Sequence, residues 1–307
     1  MSQTAQPVIN ASTRVCAVLG SPIRHSASPA MHNAAFATLG LNWRYLAFEV
    51  QPENLRSAIE GAKVMGFAGL NLTVPHKLLA LGLVDVLDES AKIWAAVNAI
   101  RFEGRDADGQ WLPLREFDQV PPKAIRSHGF NTDADGLEAS LREDLKLELR
   151  GKRVLLLGAG GAGRMAALKC ADAGVSELFL VNRTRSKSEE AAADIARRCP
   201  PVRVTLGYPQ TNVDLLLNAT SLGLRTGDPS PLDEKQFTPR QTQAVYDMIY
   251  KPAETRLLTA AKAAGCKTAN GIGMLVGQGA RAFSLWTGQP APVETMRRAA
   301  ELDIYGH

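Results

Sequence analysis

The sequence predicts an α/β protein of two domains. Three observations carry that expectation: strand-like and helix-like segments alternate through the first 133 residues, a second alternating series starts at Gly151 around a glycine-rich turn, and a helical pattern follows Gly271. In the first series the apolar runs 14–19, 43–50 and 69–74 read as strands and the runs 30–39 and 53–65 as helices, the order expected of a largely parallel sheet. The first helix has the clearest boundaries, with Ser28 as a cap, Pro29 at the first helical position, where a missing N–H is harmless, and Gly40 as the stop.

In the second series 153–157 reads as a buried strand, followed by a glycine turn, a helix to Ala173 and a strand at 177–181. Further strands at 202–206, 213–218 and 244–248 complete a Rossmann-type nucleotide-binding domain over 134–270. Met274, Leu275, Gln278, Ala282 and Leu285 then fall on related helical faces, Gly288 stops that helix, and a last helix spans 294–302. These tail helices, within 271–307, are expected to return to the first domain, 1–133. The stretch 105–128, rich in charge and containing Pro113, Pro121 and Pro122, keeps no period and reads as an extended surface loop or hairpin arm.

Composition narrows the function. With 45% hydrophobic and 21% charged residues in 307, the chain can bury a substantial core. A formal charge of +4 with no block of lysine or arginine argues against nucleic-acid or membrane partners and favours small acidic ligands. Cys16, Cys170, Cys199 and Cys266 are scattered, as free thiols in a reducing cytoplasm would be, and His25, His32 and His76 have no metal-like spacing, so no metal is expected. The polar stretch 1–13 lacks an apolar signal core, and no later segment has the uninterrupted apolar length of a bilayer span.

Gly158, Gly160 and Gly163 make a G-x-G-x-x-G spacing after a strand and at the opening of a helix, with Ala159, Gly161 and Ala162 between them. Glycines there let the backbone approach a pyrophosphate beside free helix amides. The next strand ends not in the acid that would hold a ribose 2′-hydroxyl but in Asn182, Arg183, Thr184, Arg185 and, two residues on, Lys187. Guanidinium planes and hydroxyls suit a 2′-phosphate, so the expected cofactor is NADP(H) rather than NAD.

Within 69–77, alternation sets Leu70, Leu72 and Val74 against Asn71 and Thr73, and Lys77 follows just past the strand's C-terminal end, where open α/β sheets place ligands. The run Asn71-Leu72-Thr73-Val74-Pro75-His76-Lys77 resembles the signature of the shikimate dehydrogenase family. Gly20-Ser21-Pro22-Ile23, His25-Ser26-Ala27-Ser28-Pro29 and His32-Asn33 resemble its opening motif, and Ala96-Val97-Asn98 and Gly129-Phe130-Asn131-Thr132-Asp133 its central ones. The likeness continues through Asn182-Arg183-Thr184, Tyr246-Asp247-Met248-Ile249-Tyr250 and Gly271-Ile272-Gly273-Met274-Leu275-Val276 with Gln278, and so covers nearly the whole chain in order.

The resemblance implies a substrate domain, completed by the C-terminal helices, facing an NADP-binding domain across a cleft. It implies reversible NADPH-dependent reduction of 3-dehydroshikimate to shikimate in the aromatic amino-acid (chorismate) pathway, by a monomer or homodimer. Lys77 and Asp133 become the catalytic dyad; Ser26, Ser28 and Tyr250 take the substrate carboxylate; Asn71, Thr73, Asn98 and Gln278 surround the ring hydroxyls; Met248 and Gly271 join the cofactor site. Ser28 also carries a physical reason, since a helix starting there offers amides and a dipole to an anion.

Two features depart from the family pattern: Ala99, where threonine is frequent, and the long 105–128 stretch, read as a surface insertion. The neighbouring readings are a broader quinate/shikimate dehydrogenase, a non-catalytic NADP-sensing protein, which the intact Lys77 and Asp133 argue against, and a folate-type dehydrogenase, which leaves Ser26 and Ser28 without a purpose.

Overall fold

The computed structural model describes residues 8–118, 121–225 and 227–306, so part of the polar N-terminal stretch and part of the 105–128 stretch lie outside the described residues. The chain divides into two compact units, Met1–Asp133 with Val276–His307, and Ala134–Leu275.

The first unit holds β1 (Arg14–Gly20), α1 (Ser28–Thr38), β2 (Trp43–Glu49), α2 (Leu55–Val64), β3 (Gly69–Leu72), α3 (His76–Leu79), β4 (Val86–Leu87), α4 (Glu89–Trp94), β5 (Ala99–Arg105), β6 (Trp111–Pro113) and β7 (Ile125–Phe130). Its sheet has the order β2-β1-β3-β5-β7-β4, with β6 paired to β5. Among the described residues every strand runs the same way except β5, antiparallel to β3, β6 and β7. The mostly parallel expectation holds, with β5 as the one departure from it.

One face of this sheet is a core of Ala17, Leu19, Leu70, Leu72, Ile100 and Phe102 packed on Leu55 and Ile59 of α2. On the tail side Trp286 donates its indole N–H to the Ile100 carbonyl at 2.9 Å. Gly69 has to be glycine for this approach, since a Cβ there would stand 2.0 Å from Trp286 Nε1.

Several boundaries differ from the sequence expectation. Ser28 is not the cap of α1: Ala27 takes that position without a side-chain bond, Ser28 is the first helical residue, and Pro29 follows it. Ser26 supplies the local bond instead, its Oγ accepting the Ser28 N–H at 3.3 Å. The strand at 69–74 ends at Leu72, and Val74 is 70% exposed rather than inward-facing, because the chain turns before Pro75. Of the two readings offered for the 105–128 stretch, its described residues form the hairpin arm, with β6 paired to β5. Leu114 joins the core, Arg14 donates to the carbonyls of Leu114 at 3.0 Å and Arg115 at 2.9 Å, and Arg115 donates to Trp286 O at 3.0 Å.

The second unit follows α5 (Asp133–Leu145) with β8 (Arg153–Leu157), α6 (Gly161–Asp172), β9 (Glu177–Val181), α7 (Arg185–Arg198), β10 (Arg203–Leu206), β11 (Val213–Asn218), β12 (Thr242–Asp247), α8 (Arg256–Ala263) and β13 (Lys267–Asn270). The six strands are all parallel in the order β10-β9-β8-β11-β12-β13, the doubly wound order of dinucleotide-binding sheets. Leu155, Leu157, Phe179, Leu216 and Val245 form the centre of its core. β13 has no counterpart among the expected strands; its four residues, Lys-Thr-Ala-Asn, carry too little apolar character to read as one. The chain closes with α9 (Ile272–Thr287), of which Val276 onward belongs to the first unit, and α10 (Val293–Tyr305), packed on α1.

Candidate active site

In the first unit, β3 and the segment before β5 are stitched together at their ends. Leu72 donates its N–H to the Asn98 carbonyl at 2.9 Å, Val97 donates to the Lys77 carbonyl at 2.9 Å, and Asn98 donates to Phe130 O at 3.0 Å. These backbone bonds bring Lys77, Asn98 and Asp133 together from three separated stretches of sequence. Lys77 Nζ then lies 2.7 Å from Asp133 Oδ2. The lysine side chain is 31% exposed and the aspartate 11%, so the pair has one open side.

Asn98 is buried and organises the rest. Its Nδ2 donates to Asp133 Oδ1 at 2.8 Å and to Thr132 Oγ1 at 3.0 Å, with Gln278 Oε1 at 3.4 Å. Its Oδ1 accepts the Thr132 N–H at 2.7 Å. Asn131, whose Oδ1 accepts the Asp133 N–H at 3.1 Å and whose Nδ2 donates to Ala96 O at 3.1 Å, holds the turn that aims the aspartate. Asn71 is buried too and donates to Asn98 O at 3.0 Å. Thr73 sits just past β3, and Gly20 makes room for it: a Cβ there would lie 2.5 Å from Thr73 Cγ2.

Thus Lys77, Asn98, Asp133, Asn71 and Gln278 form one hydrogen-bonded cluster. Ser26 and Ser28 stand at the N-terminus of α1, which has no acidic residue in its first turn and no side-chain cap, leaving amides for an anion. Tyr250 belongs to the second unit, where burial pushes its phenol pKa upward. Sequence reasoning did not assign Asn131 and Thr132 a role, although both lie inside a motif it quoted, and it did not find Tyr45, whose phenol donates to Asn71 Oδ1 at 2.7 Å.

In the second unit the glycine turn has the shape its composition demands. Gly158 has φ +102°, and a Cβ on Gly163 would stand 2.2 Å from the Gly158 carbonyl oxygen. A Cβ on Gly160 or Gly161 would meet nothing within 4 Å, and the residues from Gly160 to Ala162 are exposed, so their backbone is accessible at the start of α6. Asn182 braces this turn, its Oδ1 accepting the Ala159 N–H at 2.9 Å and its Nδ2 donating to Thr184 O at 2.7 Å. Arg183, Thr184, Arg185 and Lys187 are exposed around the start of α7, with Arg185 paired to Glu189 at 2.8 Å. A free glycine cradle beside exposed cations fits a pyrophosphate and a further phosphate.

Met248 and Gly271 meet at the ends of β12 and β13. Gly271 donates to Ile249 O at 3.1 Å, and a Cβ on it would lie 2.1 Å from Met248 O. Beneath them the buried Asp247 accepts from Asn218 Nδ2 at 2.9 Å, Ile249 N at 3.1 Å and Thr255 Oγ1 at 2.7 Å, while burial pushes its pKa upward. Among the described residues no group of three histidines, cysteines or acids is placed to hold a metal ion, and no helix is long and apolar enough to cross a membrane.

The chain is similar to known proteins over nearly all its length. The shikimate dehydrogenase substrate binding domain model matches residues 18–100, and the shikimate 5'-dehydrogenase C-terminal domain model matches residues 271–301. A shikimate dehydrogenase (NADP(+)) of Methanopyrus kandleri is 39% identical over 298 residues, covering 95% of this chain and 96% of the relative. The crystal structure of a shikimate dehydrogenase in complex with NADP+ superposes with a TM-score of 0.82 at 34% identity, covering 98% of this chain and 99% of that one. The shikimate 5-dehydrogenase of Thermus thermophilus, in complex with NADP(H) and shikimate, gives 0.78 at 35% identity over 94% of this chain and 99% of that one. With relatives of this identity spanning both units, the chain belongs to the shikimate dehydrogenase family.

Proposed function

We propose that this chain catalyses the reversible reduction of 3-dehydroshikimate to shikimate with NADPH, the step its family performs in the aromatic amino-acid pathway. The observation that carries the reading is the Lys77–Asp133 pair at 2.7 Å, with Asn98 on the second carboxylate oxygen and one side of the pair open. NADPH supplies the hydride when bound. As an ammonium, Lys77 stabilises the alkoxide growing on the ketone oxygen and donates the proton that completes the alcohol. Asp133, held by Asn98 and Asn131, keeps Lys77 aimed; in the oxidative direction the dyad takes the hydroxyl proton back as a coupled unit.

Ser26 and Ser28, with the first amides of α1, receive the carboxylate. Asn71, Thr73, Asn98 and Gln278 read the ring hydroxyls, since an amide donates and accepts at once. The cradle from Gly158 to Gly163, with Ala159, Gly161 and Ala162, holds the pyrophosphate. Asn182, Arg183, Thr184, Arg185 and Lys187 take the 2′-phosphate, and Met248 and Gly271 line the nicotinamide end. The first unit is accordingly the substrate domain and the second the cofactor domain.

Four free cysteines suit a reducing cytoplasm. Every residue named comes from one chain, so a monomer and a homodimer are equally competent, and sedimentation decides between them. The functional test is the initial rate at the reduced-nicotinamide band with shikimate or quinate against NADP or NAD. Fast turnover with shikimate and NADP alone is expected; equal turnover of quinate or NAD refutes the stated specificity, and silence in all four combinations refutes the activity.

A further inference from the structure

Tyr45, on β2, has no exposed surface and no part in the chemistry above. Its phenol donates to Asn71 Oδ1 at 2.7 Å, and the direction is fixed because an amide oxygen only accepts. On its other side Asn71 donates from Nδ2 to the Asn98 carbonyl at 3.0 Å, which also only accepts. A flipped Asn71 amide would set oxygen against that carbonyl oxygen, so the two bonds together leave one orientation. The phenol ring is itself held: the His32 ring lies flat on its face, centroids 4.3 Å apart and planes within 10°. Both His32 nitrogens are buried without a hydrogen-bond partner, so His32 serves here as a neutral aromatic plate.

We propose that Tyr45 is a positioning residue whose hydroxyl fixes the sense of the Asn71 amide, so that the remaining Nδ2 hydrogen and Oδ1 lone pair meet a substrate ring hydroxyl with the correct polarity. The proposal rests on the reading above that Asn71 contacts the substrate. It extends that contact to a residue on a different strand, β2.

The test is a cycle of Tyr45→Phe, Asn71→Ala and the double variant, with steady-state kinetics for shikimate and NADP and a thermal unfolding curve for each. Tyr45→Phe removes one oxygen and keeps the ring stack, so the KM for shikimate is expected to rise about tenfold. The KM for NADP stays put, and in the Asn71→Ala background the same change adds little, because its target is gone. An unchanged shikimate KM in Tyr45→Phe, with or without a lowered melting temperature, overturns the proposal. So do penalties that multiply in the double variant, or a KM for NADP that rises in step. If Asn71→Ala alone leaves the shikimate KM unaltered, Asn71 is not a substrate contact and the underlying assignment falls first, a result distinct from failure of Tyr45→Phe alone.

Discussion

Asn98 and Asp133 share a 2.8 Å hydrogen bond from Nδ2 to Oδ1, while Lys77 holds the other carboxylate oxygen at 2.7 Å, so one carboxylate is divided between an amide and an ammonium. The same amide accepts the Thr132 N–H at 2.7 Å. Asn98→Ala strands buried partners on both sides and is expected to destabilise the protein by about 2–3 kcal/mol, since unsatisfied buried groups carry their full desolvation cost. Urea unfolding measures this, and kcat/KM for shikimate should fall at least about tenfold as Asp133 loses its brace. An equally stable and active variant would show that the network is incidental.

Lys77→Ala removes the proton donor and the charge that meets the developing alkoxide. Its turnover should drop by about 10²–10⁴, the usual span for a positioned acid–base group, with the substrate dissociation constant changed far less. Single-turnover rates with titration calorimetry separate the two, and near-normal turnover would dismiss the role.

Arg183 is exposed beside the Asn182 brace. Only NADP carries the phosphate it is proposed to meet, so Arg183→Ala should raise the KM for NADP about ten- to a hundredfold and leave that for NAD nearly unchanged, as expected for a charge-assisted contact. Parallel loss with both cofactors would move the phosphate elsewhere.

Gly163→Ala places a methyl 2.2 Å from the Gly158 carbonyl oxygen, against backbone that cannot swing aside. The start of α6 must shift, and NADP affinity should fall about tenfold or more while the isolated helix gains slightly in propensity. Fluorescence titration with NADPH reads the outcome; unaltered affinity would mean the turn does not approach the cofactor.

Glu103, 2% exposed, accepts from Arg126 Nε at 2.8 Å and pairs with Arg101 and with His128 Nδ1 at 3.0 Å. Burial opposes its charge, but these partners more than offset it and depress its pKa from 4.5 to about 2. A depressed carboxylate contributes stability that is whole above pH 4.5 and is lost as pH falls toward 2. The loss is on the order of 3 kcal/mol. Urea midpoints across this window should fall in the parent and be flatter in Glu103→Gln, whose plateau starts lower; identical slopes would exclude Glu103 as the titrating group.

Much of this molecule is legible along the chain. The G-x-G-x-x-G turn, the basic run after β9 and the polar pair ahead of Lys77 are local patterns, and each sits where its pattern implies. The misreadings have local causes as well. Ser28 looks like a cap because serine before proline usually is one, yet Ala27 takes that position and Ser26 supplies the nearby acceptor. β13 carries too little apolar character and β4, two residues long, too short a run to signal a strand, and only neighbours already in place give them partners.

The fold class and the cofactor preference were present in the linear chain, because they reside in residue type and short-range spacing. How those residues are supported came only with folding. Arg115 reaches across 171 positions to the Trp286 carbonyl and turns a seeming insertion into a clamp on α9. Tyr45 reads as an ordinary inward strand residue until β2 and β3, separated in the sheet by β1, bring its hydroxyl to Asn71. Such partners have no signature in sequence, since a buried hydrogen bond is specified by the geometry of two distant backbones and not by either residue's neighbours.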